Sequence, residues 1–176
     1  MQLFYITQIG ARPGSSMIVT NQLGEFEYHI VGQTGFLGAK FRLMDRQGQE
    51  YVSIVQTSLG IFPRFEIHEA NNHFGSFGLS LYTDAIIYIT GANWLTWTNT
   101  RSSVIQIRNL QHQLALAYPD QNYRSAVNIT DDHHTQALIL TVAFLIRWRN
   151  DHNTKIASIR SALNAGRYAT KLNMYK

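Results

Sequence analysis

The most constraining stretch of this chain is Ala137 to Ile146, ten residues of which only Thr141 is polar, inside a run from His133 to Trp148 without Gly or Pro. Thr130, Asp131 and Asp132 stand before it as N-cap candidates, with carboxylates suited to the positive end of a helix dipole. The run predicts a helix of about four turns. Its apolar residues cover every face, and such a helix must be enclosed by protein or lipid. Ten residues rise about 15 Å, half the thickness of a bilayer core, so the stretch does not span a membrane unaided. Protein has to supply the enclosure.

The preceding residues have a different period. From residue 2 to about residue 130 apolar and polar side chains alternate, the mark of strands with one dry face. Phe26, Tyr28 and Ile30 interleave with Glu25, Glu27 and His29; Phe41 and Leu43 with Lys40, Arg42 and Met44; Phe65 and Ile67 with Arg64, Glu66 and His68. Ile105 and Ile107 alternate with Gln106 and Arg108, and Tyr123, Val127 and Ile129 with Arg124 and Asn128. The breaks carry turn chemistry. Asn21-Gln22-Leu23-Gly24 and Asp45-Arg46-Gln47-Gly48 pair a capping Asn or Asp with a Gly for the left-handed position. Asn71-Asn72, Gly91-Ala92-Asn93, Asn109 and Pro119-Asp120 mark further turns. The pattern predicts an antiparallel meander of roughly ten to twelve strands. So many strands form a sandwich or close on themselves, and a closed barrel has a lumen to fill. A sandwich with the helix across one end leaves an apolar helical face wet. The expected fold is therefore all-β: a closed antiparallel barrel of roughly twelve strands around one central hydrophobic C-terminal helix.

Composition fits one such domain. The chain has 176 residues, 45% of them hydrophobic, enough for a core without staples. With 0 Cys it holds no disulfide framework, thiolate nucleophile or zinc ribbon. Up to Ile146 there are 8 Lys/Arg against 10 Asp/Glu, whereas Arg147 to Lys176 carries 7 Lys/Arg against Asp151 alone. The body is near neutral and the tail basic, so any electrostatic pull on an acidic partner resides mainly in the last 30 residues. Met1 to Gly10 has no basic start and its apolar letters are interrupted, which is not the pattern of a signal peptide. A cytoplasmic location is expected, peripheral at a membrane if the tail binds one.

The ordered motifs resemble the LURP-one-related family of the Tubby C-terminal-like superfamily over about residues 2–149. The carriers are Leu3-Phe4-Tyr5-Ile6, the hairpin from Gly38-Ala39-Lys40-Phe41-Arg42 to Gly48, and Phe62-Pro63-Arg64-Phe65-Glu66-Ile67. Asn93-Trp94 and the passage through Asp131-Asp132 into the apolar helix complete the set. The resemblance implies a roughly twelve-stranded barrel threaded by its C-terminal helix. It also implies a superfamily that includes phospholipid scramblases and Tubby proteins, whose C-terminal domain binds phosphoinositides through basic surface residues. Most LURP-one-like members have no assigned activity. Family members tend to stop soon after the buried helix, so residues 1–149 are expected to form the barrel domain and residues 150–176 a basic extension.

Candidate site residues are few. Lys40 and Arg42 flank inward Phe41 on one strand and point outward together, where they can grip a phosphate, or simply form a solvated strand face. In the extension a second helix is expected from about Thr154 to Ala165, capped by Asn153 or Asp151 and stopped by Gly166. Ile156, Ile159 and Leu163 make its apolar stripe, with Arg160, Arg167 and Lys171 beside it and Lys155 near its start. This weakly amphipathic basic helix suits an anionic membrane or an acidic partner, and equally the barrel wall or a second copy. Asp131-Asp132-His133-His134, with His152, has metal-ligand residue types, but adjacent residues diverge around a helix axis, so no metal site is expected. Gly32, Gly35 and Gly38 lie between two strands and read as hairpin glycines. No P-loop and no G-x-S-x-G elbow occurs, so no catalytic residue and no cofactor is assigned. A near-neutral body lacks the basic groove that tracks nucleic acid. The expected function is a non-catalytic cytosolic binding or scaffold module, engaging anionic phospholipid headgroups through Lys40, Arg42, Lys155, Arg160, Arg167 and Lys171. The alternative is a protein–protein or self-association module whose tail helix packs on its partner.

Overall fold

A computed structural model describes residues 1–9, 16–35, 38–59, 62–79, 86–99 and 102–151. Its strands are β1 (Gln2–Ile9), β2 (Ser16–Asn21), β3 (Phe26–Gly35), β4 (Gly38–Met44), β5 (Glu50–Ser58) and β6 (Arg64–Glu69). They continue with β7 (Asn72–Gly78), β8 (Ile86–Ile89), β9 (Trp94–Asn99), β10 (Val104–Arg108), β11 (Gln113–Pro119) and β12 (Ser125–Ile129). All twelve lie in one antiparallel sheet ordered β7-β6-β5-β4-β3-β2-β1-β12-β11-β10-β9-β8. Since β1 pairs with both β2 and β12, the chain starts mid-sheet, and the two sheet edges, β7 and β8, are consecutive in sequence. Among the described residues these edges meet at one bridge, Ser76 with Thr90, closed by backbone bonds of 3.1 and 2.9 Å and a hydroxyl pair at 2.7 Å. The result is the expected barrel, nearly closed. Gly75 is what lets the edges approach: a Cβ there would stand 2.5 Å from the Thr90 carbonyl oxygen.

The core follows the alternation. Phe41, Leu43, Ile54, Phe65, Ile67, Ile105, Ile107, Val127 and Ile129 are all buried on the inner face, and one helix, α1 (residues 135–151), follows the last strand. From Ala137 to Ala143 every residue is at most 1% exposed, so no side of this part of α1 reaches water, as an all-round apolar helix requires. Its polar members are satisfied locally: the Thr141 hydroxyl donates to the Ala137 carbonyl at 2.8 Å. Gln136 donates to the Tyr28 hydroxyl at 3.3 Å, tying α1 to β3.

The two D/N-x-x-G turns form as their chemistry dictates. Asn21 Oδ1 accepts the amides of Leu23 and Glu25, and Asp45 Oδ1 those of Gln47 and Gln49. Gly24 and Gly48 take φ of 79° and 83°. Two details differ from expectation. Tyr123 is fully exposed, with φ of 56°, because it belongs to the β11–β12 turn and not to the inner face of a strand. The helix begins at Thr135, later than the expected His133, because the residues before it are occupied elsewhere. The Thr130 hydroxyl donates to the carbonyls of Gln113 and Leu114, and Asp131 Oδ1 accepts the His133 amide at 2.8 Å. The first helical bond runs from the Leu138 amide to the His134 carbonyl, so His134 is the N-cap.

Met1–Ala143 forms one compact unit and a second begins at Phe144. Of the second, residues 144–151 are described, as the continuation of α1. There the rings of Phe144 and Trp148 stack at 6.3 Å, and Arg147 pairs with Asp151 at 3.1 Å. The helix expected over Thr154–Ala165 lies outside the described residues. Among those described, no helix is long and apolar enough to cross a membrane.

Candidate anion site on the outer barrel face

In strand β4 the burial of Phe41 and Leu43 leaves Lys40, Arg42 and Met44 facing outward. The register then fixes their neighbours. Arg42 lies opposite Val31 of β3 and Ser53 of β5; Ser53 lies opposite His68 of β6, and His68 opposite His73 of β7. One outward row therefore runs Val31, Arg42, Ser53, His68, His73. The next runs Gln33, Lys40, Val55, Glu66, Ser76 by the same pairings. Ser53 is only 5% exposed although its strand position faces out. Its partners on either side in the row are Arg42 and His68.

The electrostatics of this face are unbalanced. Among the described residues neither Lys40 nor Arg42 forms an ion pair, and Arg42 Nε is shielded from water with no hydrogen-bond partner. Other arginines are anchored: Arg46 donates to the Phe26 carbonyl at 2.7 Å, and Arg124 to Asp120 at 2.6 Å while lying 3.7 Å from the Tyr5 ring centre. A guanidinium carries five N–H donors, and a buried donor left unpaired costs about 1–3 kcal/mol. A half-buried cation without a counter-charge suits an anion or an ordered water. The one carboxylate in the two rows, Glu66, is engaged with His68, Oε2 to Nε2 at 3.3 Å. His68 and His73 sit edge to face with ring centres 5.9 Å apart.

Of the residues singled out from sequence, Lys40 and Arg42 thus share one face. Lys155, Arg160, Arg167 and Lys171 lie outside the described residues, as does His152. Asp131 and His134 are engaged structurally: the His134 ring lies 4.9 Å from that of Phe74 and 6.0 Å from that of Trp94, and its Nδ1 is 3.4 Å from Glu69 without hydrogen-bond alignment. No group of three or more His, Asp or Glu that could hold a metal occurs among the described residues. Ser53, His68 and His73 were not singled out from sequence. Alternation places His68 outward, but only the register brings it beside Arg42.

Two other features compete less well. An open cleft of about 480 Å³ at the ends of β1 and β2 is lined by Leu3, Asn21, Leu23 and Tyr28, together with the Glu27 carboxylate, which repels anions. Tyr28 there has its phenol pKa raised above 10.0, chiefly by burial. The outer face of β8 and β9 exposes Tyr88, Leu95 and Trp97, an apolar strip with no charged residue among the three.

The chain matches no protein-family model and no curated protein. Among solved structures it is similar to the X-ray structure of a protein from Arabidopsis thaliana, AT5G01750, with a TM-score of 0.55 at 10% identity. The match covers 86% of this chain and 91% of that one. At such identity the likeness is one of fold.

Proposed function

We propose that the chain is a LURP-one-related, Tubby C-terminal-like binding module without catalytic activity. It works in the cytoplasm or at the surface of a membrane and captures phosphorylated, anionic headgroups on the outer face of β4. The observation that carries this reading is Arg42, half-buried beside Lys40, with its Nε shielded from water and without a hydrogen-bond partner or counter-charge among the described residues. Arg42 holds the oxyanion by charge-assisted hydrogen bonds, and Lys40 adds a mobile point charge. Lys155, Arg160, Arg167 and Lys171 of the extension add longer-range attraction, with Ile156, Ile159 and Leu163 supplying apolar contact at the interface.

The test is co-sedimentation of the full chain with neutral and anionic vesicles at low and high salt. Two multiple variants, K40Q/R42Q and R160Q/R167Q/K171Q, divide the contributions. Binding to anionic vesicles that weakens with salt and falls in K40Q/R42Q supports the site on β4. A fall only in the tail variant moves the site to the extension. Undiminished binding by both variants defeats the reading.

A protein–protein or self-association role is the second reading, favoured by the exposed Tyr88, Leu95 and Trp97. Salt separates the two, since headgroup attraction is screened within a Debye length of about 8 Å at physiological salt and apolar association is not.

A further inference from the structure

We propose that the anion site around Arg42 extends across β6 and β7 to His68 and His73, and that protonation of these two imidazoles switches it to its tight-binding form. The inference rests on the reading of Arg42 as an anion ligand and adds the residues that complete the site and the condition under which they do so.

Arg42 and His68 stand two strands apart, about 9.6 Å between backbones, with the small, buried Ser53 between them in the row. That separation lets one phosphate-sized oxyanion be held from both sides. His73 follows in the same row, its ring against that of His68. As neutral rings these histidines add no charge, and the site rests on Lys40 and Arg42 with Glu66 opposing. As imidazolium ions both rings donate from both nitrogens, and the face gains two positive charges. Imidazole as a class makes this change between about pH 5 and 8.

The surrounding groups decide whether the gain is cancelled. Strand β3 contributes His29 to the outer face, one row from Arg42, which charges in the same sense. Strand β4 contributes Lys40 and Arg42, both positive. Strand β5 presents uncharged Ser53 and Val55, with Glu50 farther along, opposite Met44. Strand β6 contributes Glu66, 3.3 Å from His68, and the exposed cation Arg64 one row beyond Glu66, and β7 contributes His73 and Ser76. One nearby carboxylate thus meets two or three imidazoles. An anion seated between Arg42 and a charged His68 faces both cations at once. By linkage, anion binding and proton uptake favour each other by the same factor.

The test is isothermal titration of the full chain with inositol hexakisphosphate and with inositol hexasulfate, whose sulfate esters keep their charge throughout, at about pH 7.5 and about pH 5.5. The wild type is expected to bind both probes about tenfold more tightly at the lower pH. In H68Q/H73Q the ratio between the two pH values falls to about one. H68K/H73K, charged at both pH values, is expected to show a ratio near one with high affinity throughout, so a folding defect in the glutamine variant does not decide the matter. R42Q is expected to bind weakly at both pH values.

An equal acid gain in the wild type and H68Q/H73Q overturns the proton switch while R42Q still reports on the Arg42 reading. An R42Q chain that binds as the wild type does at both pH values overturns the Arg42 reading itself, and the extended site with it. Running the same series on phosphatidylcholine vesicles carrying a phosphorylated phosphatidylinositol identifies the source. An acid gain seen on vesicles as well as with the soluble probe supports a lipid headgroup, and one confined to the soluble probe supports a free polyphosphate.

Discussion

On the β3–β7 side of the barrel the outward positions include Glu27, His29, Lys40, Arg42, Arg64, Glu66, His68 and His73, whereas on β8–β12 they include Tyr88, Leu95, Trp97, Gln106, Arg108 and Asn128. The inner faces of the same two regions are alike in chemistry: Phe41, Leu43, Ile54, Phe65 and Ile67 on one, Ile105, Ile107, Leu114, Val127 and Ile129 on the other. Both inner faces answer to one constraint, an apolar helix that must be covered. Outside, nothing requires the two sides to agree. One side became a charged and imidazole-rich surface, the other an aromatic and amide surface with Arg108 as its strand cation, where Gln106 donates to Gln113 at 2.6 Å. A barrel built this way has one core and two independent outer faces.

The largest expected effects test the shared core. Ile54→Ala and Ile107→Ala, one in each region and both fully buried, should each cost about 2–5 kcal/mol in urea unfolding. A substitution that is severe in one region and silent in the other would break the claim of a common core. Next comes the seam where the two edges meet. Gly75→Ala sets a methyl group 2.5 Å from the Thr90 carbonyl oxygen. It should lower stability by about 2–3 kcal/mol and speed amide exchange at Ser76 and Thr90, with the β1–β12 ladder still protected.

The outer faces give smaller and separable effects. Arg42→Gln should weaken binding to anionic vesicles about tenfold with stability changed by less than about 1 kcal/mol. Trp97→Ala, on the other face, should leave that binding unchanged, and parallel losses from both would erase the distinction between the faces. The smallest effects are at the extremes of pH. Tyr28 has its pKa raised above 10.0 by burial, so its contribution to stability is complete below pH 10.0 and is lost as the pH rises through the raised value. Tyr28→Phe should flatten that alkaline limb in thermal melts. Asp120 has its pKa lowered below 3.8, first by the hydrogen bond from Arg124 and next by the Gln121 amide. Its contribution is complete above pH 3.8 and is lost as the pH falls through the lowered value. Arg124→Gln should shift acid unfolding to higher pH.

Much of the barrel was legible because each strand carries its own record. Phe41, Leu43, Phe65 and Ile67 face inward as the period of two requires, and Asn21 and Asp45 cap their turns through bonds between near neighbours in the chain. Tyr123 was misread for the same local reason: alternation continued through Arg124 and Tyr123 as if the strand did, while the backbone had already turned. The helix starts two residues later than its cap residues suggest: the Thr130 hydroxyl bonds back to β11, and Asp131 Oδ1 closes a turn onto the His133 amide before the helix begins. Of the candidate site, Lys40 and Arg42 were legible as neighbours two apart on one strand. Ser53, His68 and His73 were not, since they are distant in sequence and meet Arg42 only through the β4–β5–β6–β7 register.

By itself the sequence determined that this chain is a many-stranded barrel with a helix for its core, because period-two alternation and an all-round apolar helix each demand a dry partner and each can supply one to the other. The tertiary structure alone decided where the barrel closes, at Ser76 and Thr90 beside Gly75, and which outward side chains stand together. Local periodicity fixes which way a side chain faces; its neighbours across the sheet are fixed by hydrogen-bond register, a relation between residues that the chain brings together only on folding.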